Sequence, residues 1–133
     1  MNRRALAAAT LFCITVALQG CAGAFEPLPP NTSFGTPPAD IETPVRAHFD
    51  RTLKDPESAR FRFGSPLKAH ANWGIIDGAK IRWVGYMVPI EVNAKNSYGG
   101  YTGYKQHMAL FWGDYRGLYR VVEGSSHPTI FIH

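Results

Sequence analysis

The chain has little cysteine, no long apolar run and little net charge. Only two of its 133 residues are cysteine, which is too few for a disulfide framework. No apolar run reaches the ~20 residues that a membrane-spanning helix needs. The 14 Lys and Arg against 10 Asp and Glu give a charge of +4, too weak to indicate a nucleic-acid partner. An apolar content of 45% argues against wholesale disorder, and the length predicts one domain.

The first 20 residues have the pattern of an export signal. Two arginines form a short basic start, and the apolar stretch 5–18 that follows is too short to cross a bilayer ~30 Å thick. Residues 18–21, Leu-Gln-Gly-Cys, resemble the bacterial lipobox, in which a small residue precedes an obligatory cysteine. The resemblance implies that 1–20 is removed as a lipoprotein signal peptide, and that Cys21 carries a diacylglycerol thioether and an acylated amine.

Acylation also agrees with the number of cysteines. Cys13 is lost with the signal peptide, so Cys21 is the only thiol left, and a free thiol is a liability in an oxidising compartment. Several acyl chains, at ~0.8 kcal/mol per buried CH₂, hold a protein firmly on a membrane. Ala22 in place of Asp resembles the enterobacterial sorting signal for the outer membrane, with the domain facing the periplasm. The alternative is an ordinary secretory signal in which Cys21 is incidental.

Residues 21–40 are predicted to be the lipidated cysteine and a proline-rich tether. The stretch after Cys21 holds five prolines and no apolar periodicity, which is typical of extended, polyproline-like chain. At ~3.1 Å per residue, 22–40 would lift a domain up to ~60 Å from the membrane. Residues 41–133 are then predicted to form a single globular domain with one modest core.

The domain is predicted to be α+β and two-layered, with one N-terminal helix packed on an antiparallel meander sheet of four to five strands. The helix is expected from Thr43 to about Lys54, because Val45, Phe49 and Leu53 fall on one face. Alternating apolar residues predict strands over 59–63, 80–94, 101–112 and 117–123, with a short last strand over 129–132, whereas 65–79 is predicted to be irregular. Short connections favour antiparallel pairing.

Residues 93–105, between the second and third predicted strands, have the most unusual composition. Three tyrosines, three glycines, two asparagines and two lysines occupy thirteen residues. Glycine lets backbone approach a ligand closely, and tyrosine offers a rigid apolar face with a polar tip, which suits a sugar, a peptide or a protein. We predict a recognition surface at this tip, formed by Asn93, Lys95, Asn96, Tyr98, Gly99, Gly100, Tyr101, Tyr104 and Lys105. The alternative is purely structural: glycines for a tight hairpin, and tyrosines as strand formers on a half-wet surface.

Residue patterns for catalysis are missing. The mature chain has no free cysteine nucleophile, no Gly-x-Ser-x-Gly elbow and no phosphate-binding glycine loop, and no two of its histidines have the i, i+4 spacing of a zinc pair. We therefore predict no catalytic residues, no metal site and no cofactor. A small hydrolase is an alternative if Glu91 faces His107 across the hairpin as an acid–base pair.

Two stretches carry a resemblance to a family. Residues 53–61, LKDPESARF, and 91–105, EVNAKNSYGGYTGYK, are similar to a group of small exported proteins and lipoproteins of Gram-negative bacteria. The similarity spans about 45–112. It implies a shared domain and an envelope location, and it implies no activity.

These patterns together predict an envelope lipoprotein, attached to the membrane through Cys21. Its domain is expected to be a non-enzymatic binding module for a protein or for a cell-wall partner such as peptidoglycan. The alternative is a structural accessory subunit of an envelope secretion or assembly complex.

Overall fold

The structure is a computed structural model that describes residues 25–133 apart from 75, 77, 115 and 125–127. The predicted signal peptide and the predicted lipidation of Cys21 lie outside the described residues. Within the described part, the elements are α1 (Glu42–Thr52), a short 3₁₀ turn (Pro56–Ser58), β1 (Arg60–Phe63), β2 (Leu67–Asn72), β3 (Ile81–Asn93), β4 (Lys105–Trp112), β5 (Gly117–Glu123) and β6 (Thr129–Ile132). The predicted α+β class, a helix packed on an antiparallel sheet, is confirmed, with six strands rather than four to five.

Helix α1 begins beside an acidic residue that the prediction did not use. The Asp40 carboxylate accepts a hydrogen bond from the backbone N–H of Thr43 at 3.1 Å. This bond satisfies one of the N–H groups that have no partner in the first turn, and the helix begins at Glu42, ahead of the predicted cap. The predicted inward face is present, since Val45 and Phe49 are buried.

The 13-residue strand β3 is the centre of one open antiparallel sheet with the order β5-β4-β3-β2-β6. Strand β4 pairs along one edge of β3, whereas β1 and β2 share the other edge. Strand β1 pairs with the C-terminal part of β3 and β2 with its N-terminal part. Strand β6 returns to pair with β2, so the meander is limited to β2 through β5.

Strand β2 lies within residues 65–79, which the sequence predicts to be irregular. Its last four residues are buried because β3 and β6 flank it. Of these four, His70 and Asn72 are polar, and the two residues that alternate with them, Ala69 and Ala71, are alanines. The strand therefore lacks the alternation of large apolar and polar residues from which strands are predicted.

Apolar side chains are buried on both sides of the sheet. On the side covered by α1, hereafter the helix side, the core consists of Val45, Phe49, Tyr86, Val88, Ile90, Val92, Ala109 and Phe111. On the other side, no helix of the described residues covers Trp83, which is nevertheless only 1% exposed. The Tyr119 ring stacks over Trp83 at 6.5 Å between centroids and meets Trp73 at 6.2 Å. Aromatic side chains thus bury this second side themselves.

Residues 25–36, hereafter the strap, pack along the domain and so differ from the predicted free tether. The backbone N–H of Glu26 donates to the carbonyl of Ala79 at 2.9 Å, and its carboxylate accepts from the N–H of Ile81 at 2.8 Å. The ring of Phe25 meets Phe131 edge-on, with centroids 5.8 Å apart. The strap is therefore joined to the start of β3 and to β6.

The other end of the strap is bound as well. The Tyr86 hydroxyl donates to the carbonyl of Gly35 at 2.8 Å, and the N–H of Thr36 donates to the Asp114 carboxylate at 2.8 Å. Proline content alone predicts an extended, free chain for the strap. The strap nevertheless packs on the domain, because its aromatic side chains and polar groups find partners there, so the domain begins before residue 41.

Candidate functional site

The predicted recognition segment forms a tight hairpin turn between β3 and β4. The Asn96 side-chain oxygen accepts hydrogen bonds from the N–H groups of Tyr98 at 2.9 Å and Gly100 at 3.1 Å. The Asn96 backbone N–H donates to the Gly100 carbonyl at 2.9 Å, and Gly99 has a φ of +80°, a value that glycine adopts without strain. Asn96, Gly99 and Gly100 therefore have a structural role: they hold the apex of the turn in one shape.

Tyr98 lies at this apex, and 96% of it is exposed. Its backbone is ordered by the Asn96 side chain, whereas no contact of its ring is found in the described part of the chain. A large, rigid side chain is thus presented to solvent on a turn whose hydrogen bonds are already satisfied.

Tyr101 and Tyr104 are held by arginines of β1. The Arg60 guanidinium lies 4.5 Å from the Tyr101 ring centroid, and the Arg62 guanidinium lies 3.9 Å from that of Tyr104. Arg62 also contacts the Glu91 carboxylate at 3.4 Å. Because strand side chains alternate and Phe61 packs on the helix side, Arg60 and Arg62 project to the opposite side.

The two stretches on which the family resemblance rests are in contact with each other. The Ser58 hydroxyl accepts from the N–H of Lys95 at 2.9 Å, and the Ser58 carbonyl accepts from the Tyr101 hydroxyl at 3.0 Å. The Lys54 ammonium donates to the Ser97 hydroxyl at 2.8 Å. The turn after α1 therefore supports the hairpin tip.

A pocket of about 540 Å³ lies on the helix side, between the end of α1 and the hairpin tip. Its apolar walls include Phe49, Val92 and Val121, and its polar lining includes two histidines and one glutamate, His48, His107 and Glu123. Three lysines also line it: Lys54, Lys95 and Lys105. This is a mixed apolar and cationic pocket.

The two histidines of the pocket flank Phe49. The His107 ring lies 5.1 Å from the Phe49 ring and the His48 ring lies 5.2 Å from it, both edge-on. Burial lowers the pKa of His107; the charge of Glu123 opposes this, whereas Lys105 and His48 add to it. Burial also lowers the pKa of His48, and Arg51 lowers it further. Both imidazoles therefore favour the neutral form, which has one donor and one acceptor nitrogen.

The alternative in which Glu91 faces His107 as an acid–base pair does not agree with the register of the sheet. His107 lies opposite Ile90, so Glu91 and His107 project to opposite sides of the sheet. The residue that lies opposite His107 on the neighbouring strand is Glu123 of β5. An acid–base pair across the β3–β4 hairpin is therefore not formed.

The nine predicted recognition residues separate into four groups. Tyr98, Gly99 and Gly100 form the apex, and Tyr101 and Tyr104 lie against the arginines of β1. Lys95, Asn96 and Lys105 line the pocket. Asn93 lies in the sheet opposite Arg60, and its carboxamide oxygen is buried without a hydrogen-bond partner among the described residues.

Sequence reasoning missed the pocket residues that come from outside the segment. His48 and Lys54 belong to α1 and the turn after it, some forty residues earlier in the chain, where they resemble ordinary surface residues of a helix end. A signal that points to these residues is the joint occurrence of the motifs 53–61 and 91–105, because residues of both line the pocket. By themselves the motifs indicate a shared domain and not a single site.

No group of three or more His, Cys, Asp or Glu side chains within the described ranges is placed to hold a metal ion. In the same part of the chain, no helix is long and apolar enough to span a membrane. In comparisons with known proteins, no family model, no curated protein and no solved structure matches this chain. The resemblance inferred from the two motifs therefore stays a prediction.

Proposed function

We propose that this protein is a lipid-anchored envelope lipoprotein and that its domain is a non-enzymatic binding module for a protein or cell-wall partner. One observation carries the binding role. Tyr98 is 96% exposed at the apex of a turn in which Asn96 satisfies the backbone. An aromatic side chain on an ordered backbone buries a large area on binding, and its two χ angles limit the conformational entropy that is lost.

The position of the tip relative to the proposed anchor supports this role. Glu26 of the strap bonds to Ile81, at the start of β3, whereas the tip follows Asn93, at its end. The 13 residues of β3 span about 40 Å at ~3.3 Å per residue. Cys21 precedes the strap by four residues, which reach at most about 14 Å. An anchor at Cys21 therefore leaves the tip pointing away from the membrane.

The anchor has a direct test. The intact mass of the protein from membranes should exceed that of residues 21–133 by one diacylglyceryl group and one further acyl group. An unmodified Cys21 would refute the anchor.

The binding role is tested with the Tyr98→Ala variant and purified peptidoglycan sacculi. For a cell-wall partner, wild-type protein sediments with sacculi, and Tyr98→Ala weakens binding about tenfold or more, as for a central aromatic contact. The matched control is Ile76→Ala, because Ile76 is 101% exposed and lies outside the tip. That variant should bind like wild type, and all three circular dichroism spectra should agree.

Equal binding by wild type and Tyr98→Ala would contradict a role for the tip in cell-wall binding. Absence of wild-type binding would exclude a cell-wall partner and leave a protein partner.

A further inference from the structure

The pocket between the end of α1 and the hairpin tip has an excess of positive charge. Lys54, Lys95 and Lys105 line it, against the single carboxylate of Glu123. The two salt bridges found among the described residues, Arg46–Glu42 and Arg62–Glu91, involve none of these lysines. The Lys54 ammonium donates to the Ser97 hydroxyl at 2.8 Å, and the Lys95 ammonium lies 5.8 Å from the Tyr101 ring centroid. A bound anion would offset the excess positive charge of the three lysines.

The pocket walls indicate what else the ligand contains. Phe49 and Val92 are buried and offer apolar contact, and the neutral imidazoles of His48 and His107 offer hydrogen bonds beside them. A pocket of about 540 Å³ is in the usual size range for small-molecule sites. A ligand that fits has one charged end and a short apolar or amide-bearing part.

The charge of the anion follows from the two negative features of the pocket. Helix α1 ends at Thr52, so Thr52 and Leu53 bring the C-terminal, partially negative end of the helix dipole to the lining. Glu123 adds the one carboxyl group found in this lining. Phosphate dianions favour helix N-termini and backbone N–H groups, which are the opposite arrangement. A singly charged carboxylate is therefore the better match.

We propose that this pocket binds a carboxylate-bearing ligand, with the lysines around the carboxylate and His48 and His107 hydrogen-bonded to its polar atoms. The inference rests on the proposed binding function and names the ligand chemistry at the base of the same hairpin. Carboxylates of this kind occur in free small acids and in the peptides of the cell wall.

The proposal is tested by NMR at pH 7, by following the imidazole resonances of the folded protein while each ligand is added. The probes are hexanoate, a free acid, and muramyl dipeptide, a carboxylate of cell-wall type. Hexanamide is the uncharged match for hexanoate, and inorganic phosphate, which is partly dianion at this pH, is the competing anion. We expect saturable shifts of His48 and His107 with at least one carboxylate and none with hexanamide, whereas His70, which lies in β2, should not move.

Two lysine variants show whether the charge of the pocket is responsible. Lys105→Gln and Lys95→Gln should each weaken carboxylate binding about tenfold or more, because each removes one charge-assisted contact. The matched control is Lys80→Gln, since Lys80 is exposed and lies ahead of the opposite end of β3. The Lys80→Gln variant should bind the carboxylate as tightly as the wild-type protein does.

Three results would overturn the proposal. They are no saturable shift with either carboxylate up to about 20 mM, beyond a millimolar dissociation constant; equal shifts with hexanamide; or tighter binding of phosphate. The two proposals fail separately. If the pocket binds carboxylate and Tyr98→Ala changes nothing, the tip fails and the pocket stands. If Tyr98→Ala abolishes partner binding and no probe enters the pocket, the pocket proposal fails and the role of the tip stands.

Discussion

Among single residues, Asn72 connects three parts of the chain. It lies in β2, is fully buried, and donates hydrogen bonds to the carbonyls of Glu26 at 3.0 Å and Ala79 at 2.9 Å. One side chain thus joins the strap, the β2–β3 connection and the sheet. The donors of this buried amide are satisfied inside the protein, whereas its oxygen is buried without a hydrogen-bond partner among the described residues.

Asn72→Ala should lower the free energy of unfolding by about 2 kcal/mol, because both hydrogen bonds are lost and the Glu26 carbonyl loses a donor. Urea denaturation measures the change. The control is Asn93→Ala, because the Asn93 oxygen is likewise buried without a hydrogen-bond partner in the described part of the chain, but no hydrogen bond donated by its side chain is found there. That substitution should lower the free energy of unfolding by less than about 1 kcal/mol. A larger loss for Asn93→Ala than for Asn72→Ala would contradict this interpretation.

The sequence predicts the hairpin side of the candidate site but not its helix side. Tyr98 and Gly99 are recognisable because a glycine-rich turn between two alternating strands predicts an exposed tip. His48 and Lys54 come close to this tip only through the packing of α1 on the sheet. A contact between segments some forty residues apart has no signature in local composition.

Among the elements, the strap is the one whose energetic role differs most from expectation. It contributes hydrogen bonds at both ends, to Ala79 and Ile81 at one end and to Tyr86 and Asp114 at the other. Ordering the strap costs backbone entropy, which offsets part of this gain. The strap therefore behaves as part of the domain and not as a spacer.

A chain that begins at residue 41 should therefore be less stable than one that begins at residue 25, by roughly 3 kcal/mol or more. It loses seven hydrogen bonds of the strap to the domain, the ring contacts of Phe25 and Phe34, and the Asp40 cap of α1. The midpoint of urea unfolding compares the two. A third chain, beginning at 25 and carrying Glu26→Ala, should fall between them. Equal midpoints for all three chains would show that the strap adds no stability.

Helix α1 and strand β3 are predictable because each has a regular apolar period on the helix side, and β4 is predictable from Met108, Leu110 and Trp112, which alternate on the other side. Strand β2 is not predictable in this way, because two of its buried residues, His70 and Asn72, are polar. The hydrogen bond of Asn72 to the Glu26 carbonyl offsets part of the cost of that burial, and it joins residues 46 positions apart. The packing of the strap and the position of β2 therefore depend on the same long-range contact, which local sequence patterns do not indicate.

Across the whole molecule, three histidines link stability to pH. Burial lowers the pKa of His48, His70 and His107, with a further contribution from Arg51 at His48 and from His133 at His70. The unfolded chain binds protons at these sites near pH 6.5, and the folded chain binds them only at lower pH. Between these values the unfolded chain holds more protons, so the free energy of unfolding falls as the pH falls.

The thermal unfolding midpoint should therefore decrease from pH 7.5 to pH 5. Asp40, whose pKa is lowered by hydrogen bonds from Thr43, affects stability only below about pH 4. A His48→Gln, His107→Gln double variant should show a shallower decrease over the same range. A midpoint that rises on acidification would contradict the neutral, partly buried state of these histidines.

The whole molecule has its strap at one end of β3 and its tyrosine tip at the other, which suits a module that reaches from a membrane to a partner. The most direct measurement is photo-crosslinking in intact cells, with p-benzoylphenylalanine in place of Tyr98 and, as control, in place of Ile76. The account predicts a discrete covalent adduct from position 98 and none from position 76. No adduct at 98, or the same adducts from both positions, would contradict recognition by the tip.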